Sequence, residues 1–157
     1  MGVHRDAEVR RGEAALILSR LRETVPSVLS RYPVDAAYVY GSVARGTVMP
    51  FSDVDIALVL RESPPAYDRL RLELKIQAAI EDATGLTRID VRSVNEAPLM
   101  VRGTVVQEGL LVYEGDRARR VDFEVHTRKR YFDFAPVAQR LSAAFLDNIR
   151  REGLLRG

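Results

Sequence analysis

The sequence predicts an α/β (α+β) fold, a short mixed β-sheet with helices packed mainly on one face and a helical extension at the C-terminus. Three observations carry this. Helical and strand-like apolar patterns alternate along the chain up to Tyr113. The run Val54 to Leu60 is apolar without interruption, which marks a central strand rather than a surface edge. Beyond Asp116 the apolar residues recur only at helical spacing. At 157 residues with 46% hydrophobic content, the chain has enough apolar material for one packed domain.

Taken in order, the first element is a helix from about Asp6 to Thr24, where Ala14, Ile17, Leu18, Leu21 and Val25 recur at helical spacing. Pro26 either kinks that helix or starts a short second one. Ala36 to Tyr40 reads as the first strand and Val54 to Leu60 as the second. Ser63-Pro64-Pro65 opens a helix over Tyr67 to Ala83, with Leu70, Leu74, Ala78 and Ile80 expected on its buried side and Gly85 ending it. Ile89-Asp90-Val91 is a third strand bearing one acid, Pro98 to Glu108 a further helix, and Gly109 to Tyr113 a last short strand.

From Asp116 to Arg151 the pattern is helical, bent or interrupted near Pro136. Its stripe of Phe134, Val137, Leu141, Phe145 and Ile149 reads most simply as intramolecular core, with a docking arm for a second protein as the other possibility. There is no internal repeat, low-complexity tract or long linker. Residues 1–115 are therefore expected to form the main unit with its N-terminal helix, and residues 116–157 a helical extension of the same domain.

Composition removes several function classes. The chain has no cysteine, so it forms no disulfide and no thiolate metal site. With His4 and His126 as the only imidazoles, a zinc cluster or a histidine-based triad is not expected. No apolar run approaches the roughly 20 residues of a membrane span, and the charged start His4-Arg5-Asp6 leads into no apolar signal region, so the expected location is cytoplasmic. A net charge of +2 is too small to argue for nucleic acid. Arg128-Lys129-Arg130 is interleaved with Asp122, Glu124 and Asp133, which makes it a solvated helix face with its aromatics turned inward rather than an RNA-binding patch.

The chemistry is carried by Gly41-Ser42-Val43-Ala44-Arg45-Gly46 and, after a short loop, Ser52-Asp53-Val54-Asp55-Ile56. Asp53 and Asp55 enter an apolar strand at alternate positions, so their carboxylates point to the same side of the sheet and together can hold a divalent cation. Gly41-Ser42 follows the first strand and opens a helix, which offers backbone N–H groups to a phosphate. A phosphate cradle beside paired carboxylates is the apparatus of nucleotidyl transfer.

This arrangement, with Asp90 on a later strand, resembles the signature of the DNA polymerase β-type nucleotidyltransferases. The string from Tyr40 to Leu58 resembles their minimal nucleotidyltransferase (MNT) branch, antitoxins paired in prokaryotes with HEPN-domain ribonuclease toxins. The similarity runs from about Val34 to Tyr113. It implies a nucleotidyltransferase fold, two Mg²⁺ ions (or Mn²⁺) held by Asp53, Asp55 and Asp90, and ATP as donor. Asp90 would also be positioned to accept the acceptor's proton. Ser42 and the Gly41 turn would grip the β- or γ-phosphate, and Arg45 would add a charge-assisted contact. The implied reaction transfers AMP to a tyrosine of the cognate HEPN toxin. Two other classes stay open, a transferase acting on a small molecule such as an aminoglycoside and a non-catalytic module that masks the toxin.

The residues themselves leave plainer roles open. Asp53 could cap a turn, Ser42 could be a turn residue, Arg45 could hold its loop by an ion pair, and Asp90 could be the partner of Arg88 or Arg92. An acid inside a run as apolar as Val54 to Leu60 nevertheless needs a cation, because burying a lone carboxylate is costly.

Overall fold

The computed structural model describes residues 2–155, so Met1, Arg156 and Gly157, at the ends of the two expected segments, lie outside the described residues. Five helices and four strands follow in the order α1 (Gly2–Leu29), β1 (Val34–Tyr40), α2 (Ser42–Arg45), β2 (Val54–Leu60), α3 (Ala66–Thr84), β3 (Ile89–Ser93), α4 (Leu99–Glu108), β4 (Leu110–Glu114) and α5 (Arg117–Leu155). The strands form one mixed sheet in the order β3-β2-β1-β4. β1 runs antiparallel to both β2 and β4, whereas β2 and β3 are parallel and joined through α3.

β2 occupies a central position, as its apolar run requires, and its alternation builds two cores. Val54, Ile56, Leu58 and Leu60 face α1 and α3 and join the larger one with Leu21, Val25, Ile76 and Ile80. The opposite face is not bare. Ala36, Tyr38, Ala57 and Val59 turn toward α4 and the start of α5, where Val105 and Phe123 complete a smaller core.

Three expectations are corrected. Pro26 does not start a second helix but lies inside α1, because Leu21, Val25, Val28 and Leu29 bury on both sides of it and hold one helix. That packing outweighs the hydrogen bond the proline lacks, a loss of about 3 kcal/mol in an unsupported helix. In α3 the buried face carries Ile76, Ile80 and Thr84, while Leu70 and Leu74 are each 53% exposed. The apolar residues of this helix exceed one stripe, and the sheet selects which of them it covers. The distal stripe of α5 is not intramolecular core: Phe134, Val137, Leu141, Phe145 and Ile149 all lie exposed. At 39 residues α5 spans about 58 Å, longer than the sheet it crosses. Pro136 lies within it without ending it.

The end of the sheet formed by the start of β1 and the close of β2 is tied by Asp35, a carboxylate only 2% exposed. It accepts a hydrogen bond from Arg61 Nε at 3.4 Å and pairs with Arg119 at 3.5 Å. Its backbone carbonyl accepts from the amides of Gly115 and Asp116 at 2.8 and 3.0 Å, so one residue holds the β4–α5 junction against β1. Nearby, buried Tyr38 donates to Glu124 of α5 at 2.7 Å, and Arg120 bridges Glu124 to Glu114. Burial, then Glu124, pushes the Tyr38 phenol well above its ordinary range. No helix among the described residues is long and apolar enough to cross a membrane.

Replacing Asp35 by Ala leaves two half-solvated guanidinium groups without their shared acceptor. Asp35→Ala is expected to lower stability by about 1–3 kcal/mol, read from the urea midpoint at unchanged m-value.

Candidate active site

Strand register assembles the site at the other end of the sheet. Tyr40, the last residue of β1, is the cross-strand partner of Asp55 on β2, and Asp55 is in turn the partner of Asp90 on β3. Asp53 lies two residues before Asp55, on the segment entering β2. Because Ile56, Ile89 and Val91 belong to the α1/α3 core, Asp53, Asp55 and Asp90 fall on the opposite face, the side covered farther along by α4.

The turn beside them is built for closeness. Gly41 has φ +71° and ψ −146°, a combination essentially confined to glycine. A Cβ there would meet Asp55 Oδ2 at 2.5 Å, so the missing side chain is what admits the carboxylate. The Gly41 carbonyl accepts from the Arg45 amide at 3.1 Å, and α2 closes at Gly46 in the left-handed region. Ser42 stands half-buried at the start of that turn.

Like charges dominate the electrostatics. Partial burial, then the charges of Asp90 and Asp53, raise the Asp55 carboxyl above its ordinary value, and Arg45 and Arg92 pull it partly back. The Tyr40 phenol is raised by burial and then by Asp55 and Asp90. The arginines sit at the rim. Arg92 Nε pairs with Asp90 at 3.4 Å, Arg88 Nε with Asp53 at 3.8 Å, and Arg45 with Glu108 of α4 at 3.5 Å. The plainer partnerships of Asp90 and Arg45 therefore exist, but all three are exposed pairs of the kind worth about 0–1 kcal/mol, easily exchanged for a ligand.

The donor set fits a hard divalent cation. Among the described residues no group of three or more histidine, aspartate or glutamate side chains is placed together so as to hold a metal ion. Mg²⁺ does not require one, since it is typically held by one or two carboxylates with waters and substrate phosphates filling the remaining positions. An open row of carboxylates with raised mutual repulsion, lined by no imidazole, has that character.

Two hollows flank the row. One of about 360 Å³ lies beside the acids, lined by Tyr40, Arg69, Glu73, Arg92 and Pro98. A larger one of about 720 Å³ opens between α1 and the Val48–Ser52 loop, and its floor residues Val54 and Leu86 pack with the α1/α3 core, so the carboxylates point away from it. Size here does not locate the chemistry. Arg92 shares β3 with Asp90 at alternate positions, whereas Arg88 lies just before the strand in a left-handed conformation. The reach of Arg88 back to Asp53, rather than to Asp90, comes only from the fold.

Comparison with known proteins bears on the family and the fold. Residues 23–118 match the family model for polymerase beta, nucleotidyltransferase. A stretch of 64 residues is 41% identical to the bifunctional uridylyltransferase/uridylyl-removing enzyme of Cupriavidus pinatubonensis (strain JMP 134 / LMG 1197), a match over 36% of this chain. The match spans only 7% of that enzyme's length. In fold the chain is similar to a chain of a toxin–antitoxin crystal structure with AMP-PNP, at 22% identity and TM-score 0.59, covering 85% of this chain and 98% of that one. It is also similar, at 18% identity and TM-score 0.53, to a chain of the complex of tri-AMPylated Shewanella oneidensis HEPN toxin with MNT antitoxin, covering 89% and 98%.

The pH dependence follows from Asp55. Its folded-state pKa lies above the ordinary 3.8, so between those values the folded protein binds more protons than the unfolded one and stability falls as pH rises. Asp55→Asn is expected to flatten that decline and, in chelator near pH 7, to raise the melting temperature. Urea midpoints of both proteins from about pH 4 to 7 check this, and equal pH slopes would refute it. At Gly41, substitution to Ala strains the backbone and displaces the Asp55 carboxylate. It is expected to cost about 1–3 kcal/mol, read as a lowered urea midpoint.

Proposed function

The chain belongs to the polymerase beta nucleotidyltransferase family, and from that premise we propose that it is a metal-dependent protein adenylyltransferase, the antitoxin of a toxin–antitoxin pair acting in the cytoplasm. Its substrates in this reading are ATP and a tyrosine of a HEPN-domain toxin. The observation that carries the reading is the register that sets Tyr40, Asp55 and Asp90 side by side, with Gly41 opened to admit the Asp55 carboxylate. The fold it shares with chains of toxin–antitoxin complexes, one holding AMP-PNP and one an AMPylated toxin, supports the choice of donor and partner.

Asp53, Asp55 and Asp90 would hold Mg²⁺ or Mn²⁺, which when bound supplies charge neutralisation at the attacking and departing oxygens. The triphosphate lies along the Gly41-Ser42 turn, where backbone N–H groups and the Ser42 hydroxyl receive phosphate oxygens. Arg45 exchanges its exposed pair with Glu108 for a phosphate contact. The tyrosine oxygen forms a bond to the α-phosphorus as the α–β phosphoanhydride breaks. Pyrophosphate leaves, and Asp90 takes the phenolic proton.

The toxin brings its own surface to the site. The exposed stripe Phe134, Val137, Leu141, Phe145 and Ile149 on distal α5 is the docking arm in this reading, an amphipathic helix presenting anchors at i, i+3, i+7 spacing. The same stripe favours one second reading, a module that masks the toxin without modifying it, because docking there requires no chemistry.

Two outcomes are expected. In calorimetry, ATP affinity falls about tenfold or more when Mg²⁺ is chelated or Asp55 is replaced by Asn, and equal affinity in chelator counts against a metal-dependent site. In mass spectrometry, the HEPN-domain toxin of the same genome gains one or more AMP units when incubated with this chain, Mg²⁺ and ATP, and none with Asp53→Asn. No gain alongside a stable complex would establish masking, and no gain without a complex would direct the search to a small-molecule acceptor.

A further inference from the structure

Among the described residues Arg88 is the one non-glycine with a left-handed backbone, at φ +63°. Glycine occupies such positions without cost, so an arginine held there implies that its side chain is needed. The side chain is half exposed, and its contacts all lie on the segment leading to the acid pair. Its guanidinium NH1 donates to the Phe51 carbonyl at 2.8 Å. The same group lies over the Phe51 ring, 5.5 Å from the centroid, and its Nε pairs with Asp53 at 3.8 Å. The Arg88 carbonyl adds a fourth tie, accepting from the Val54 amide at 2.8 Å where β2 begins.

These contacts bind two pieces of chain that each carry part of the acid set. Arg88 immediately precedes β3, whose second residue is Asp90, and it grips the loop that carries Asp53. Without the side chain the segment keeps the tight turn in which Met49 and Ser52 hydrogen-bond to each other and the backbone pairing of Val54 with the start of β3, but nothing that fixes Phe51 and the Asp53 carboxylate between them. The Asp53 side chain is 61% exposed, so the pair with Arg88 is screened and its value is geometric rather than Coulombic. A lysine would not replace it, since a single ammonium cannot reach the ring, the carbonyl and the carboxylate together as a forked guanidinium does.

We infer that Arg88 is a positioning residue that aims the Asp53 carboxylate toward the cation site by clamping the Phe51–Asp53 segment to the start of β3. This rests on the reading of Asp53, Asp55 and Asp90 as the cation-holding row. Supporting groups of this kind change metal affinity by about 10–100-fold when removed.

The test is a titration of the full chain with Mn²⁺ alone, followed by electron paramagnetic resonance, in wild type, Arg88→Gly, Arg88→Lys and Asp55→Asn, with melting temperatures for each. Arg88→Gly is expected to match or exceed the wild-type melting temperature, because glycine relieves the backbone, and yet to bind Mn²⁺ about tenfold more weakly. Arg88→Lys is expected to show the same weakening with the strain retained, which keeps the test valid if the glycine variant folds poorly. Wild-type Mn²⁺ affinity in either Arg88 variant, with Asp55→Asn impaired, overturns the role of Arg88 alone. Equal affinity of wild type and Asp55→Asn overturns the cation site itself, and the role of Arg88 with it.

Discussion

Repulsion among carboxylates held in register is the constraint on which the functional end of this molecule depends. Asp55 cannot leave Asp90, because parallel pairing of β2 and β3 sets the two residues opposite each other, and it cannot leave Asp53, two residues back along the same face. The charge is concentrated where the sheet ends and the helices part. Gly41 makes the crowding sterically possible, and three rim arginines make it tolerable without closing the site. Such an arrangement is uncomfortable alone and is relieved by added positive charge.

Much of this was legible in the sequence, and the pattern of what was not is instructive. The central strand could be read because an apolar run of seven residues has few other places to go. The alternation of Asp53 with Asp55 placed those two acids on one face without any tertiary information, whereas Asp90 joins them only through the register of β2 with β3. Which apolar residues of α3 are covered was not legible, since Leu70, Leu72, Leu74 and Ile76 offer two candidate stripes and only the sheet decides. Nor was the buried role of Asp35, which as an acid at the head of a strand resembles any solvated strand end. Its meaning rests on Arg61 and Arg119, which the fold returns to it from the residue just after β2 and from α5.

α5 divides the same way. Its first part carries Phe123, Glu124 and Tyr131 inward, and Tyr131 fills the space that the missing side chain of Gly103 leaves on α4. Past Phe134 the apolar stripe persists but the protein beneath it ends. Periodicity reports that a helix has an apolar face and is silent about whether the chain itself supplies the cover. A helix about 58 Å long on a sheet of short strands was bound to outrun it.

The two ends of the sheet are chemical opposites. At one, Asp35 is buried between two guanidinium groups and four backbone and side-chain ties converge on it. At the other, acids face each other. Strands of seven residues separate these ends by roughly 20 Å, well beyond the distance at which substitutions couple. A substitution in the acid row is therefore not felt at the distant clasp, and one at the clasp is not felt in the acid row. Such separation leaves the charge of one end free to be altered without loosening the other.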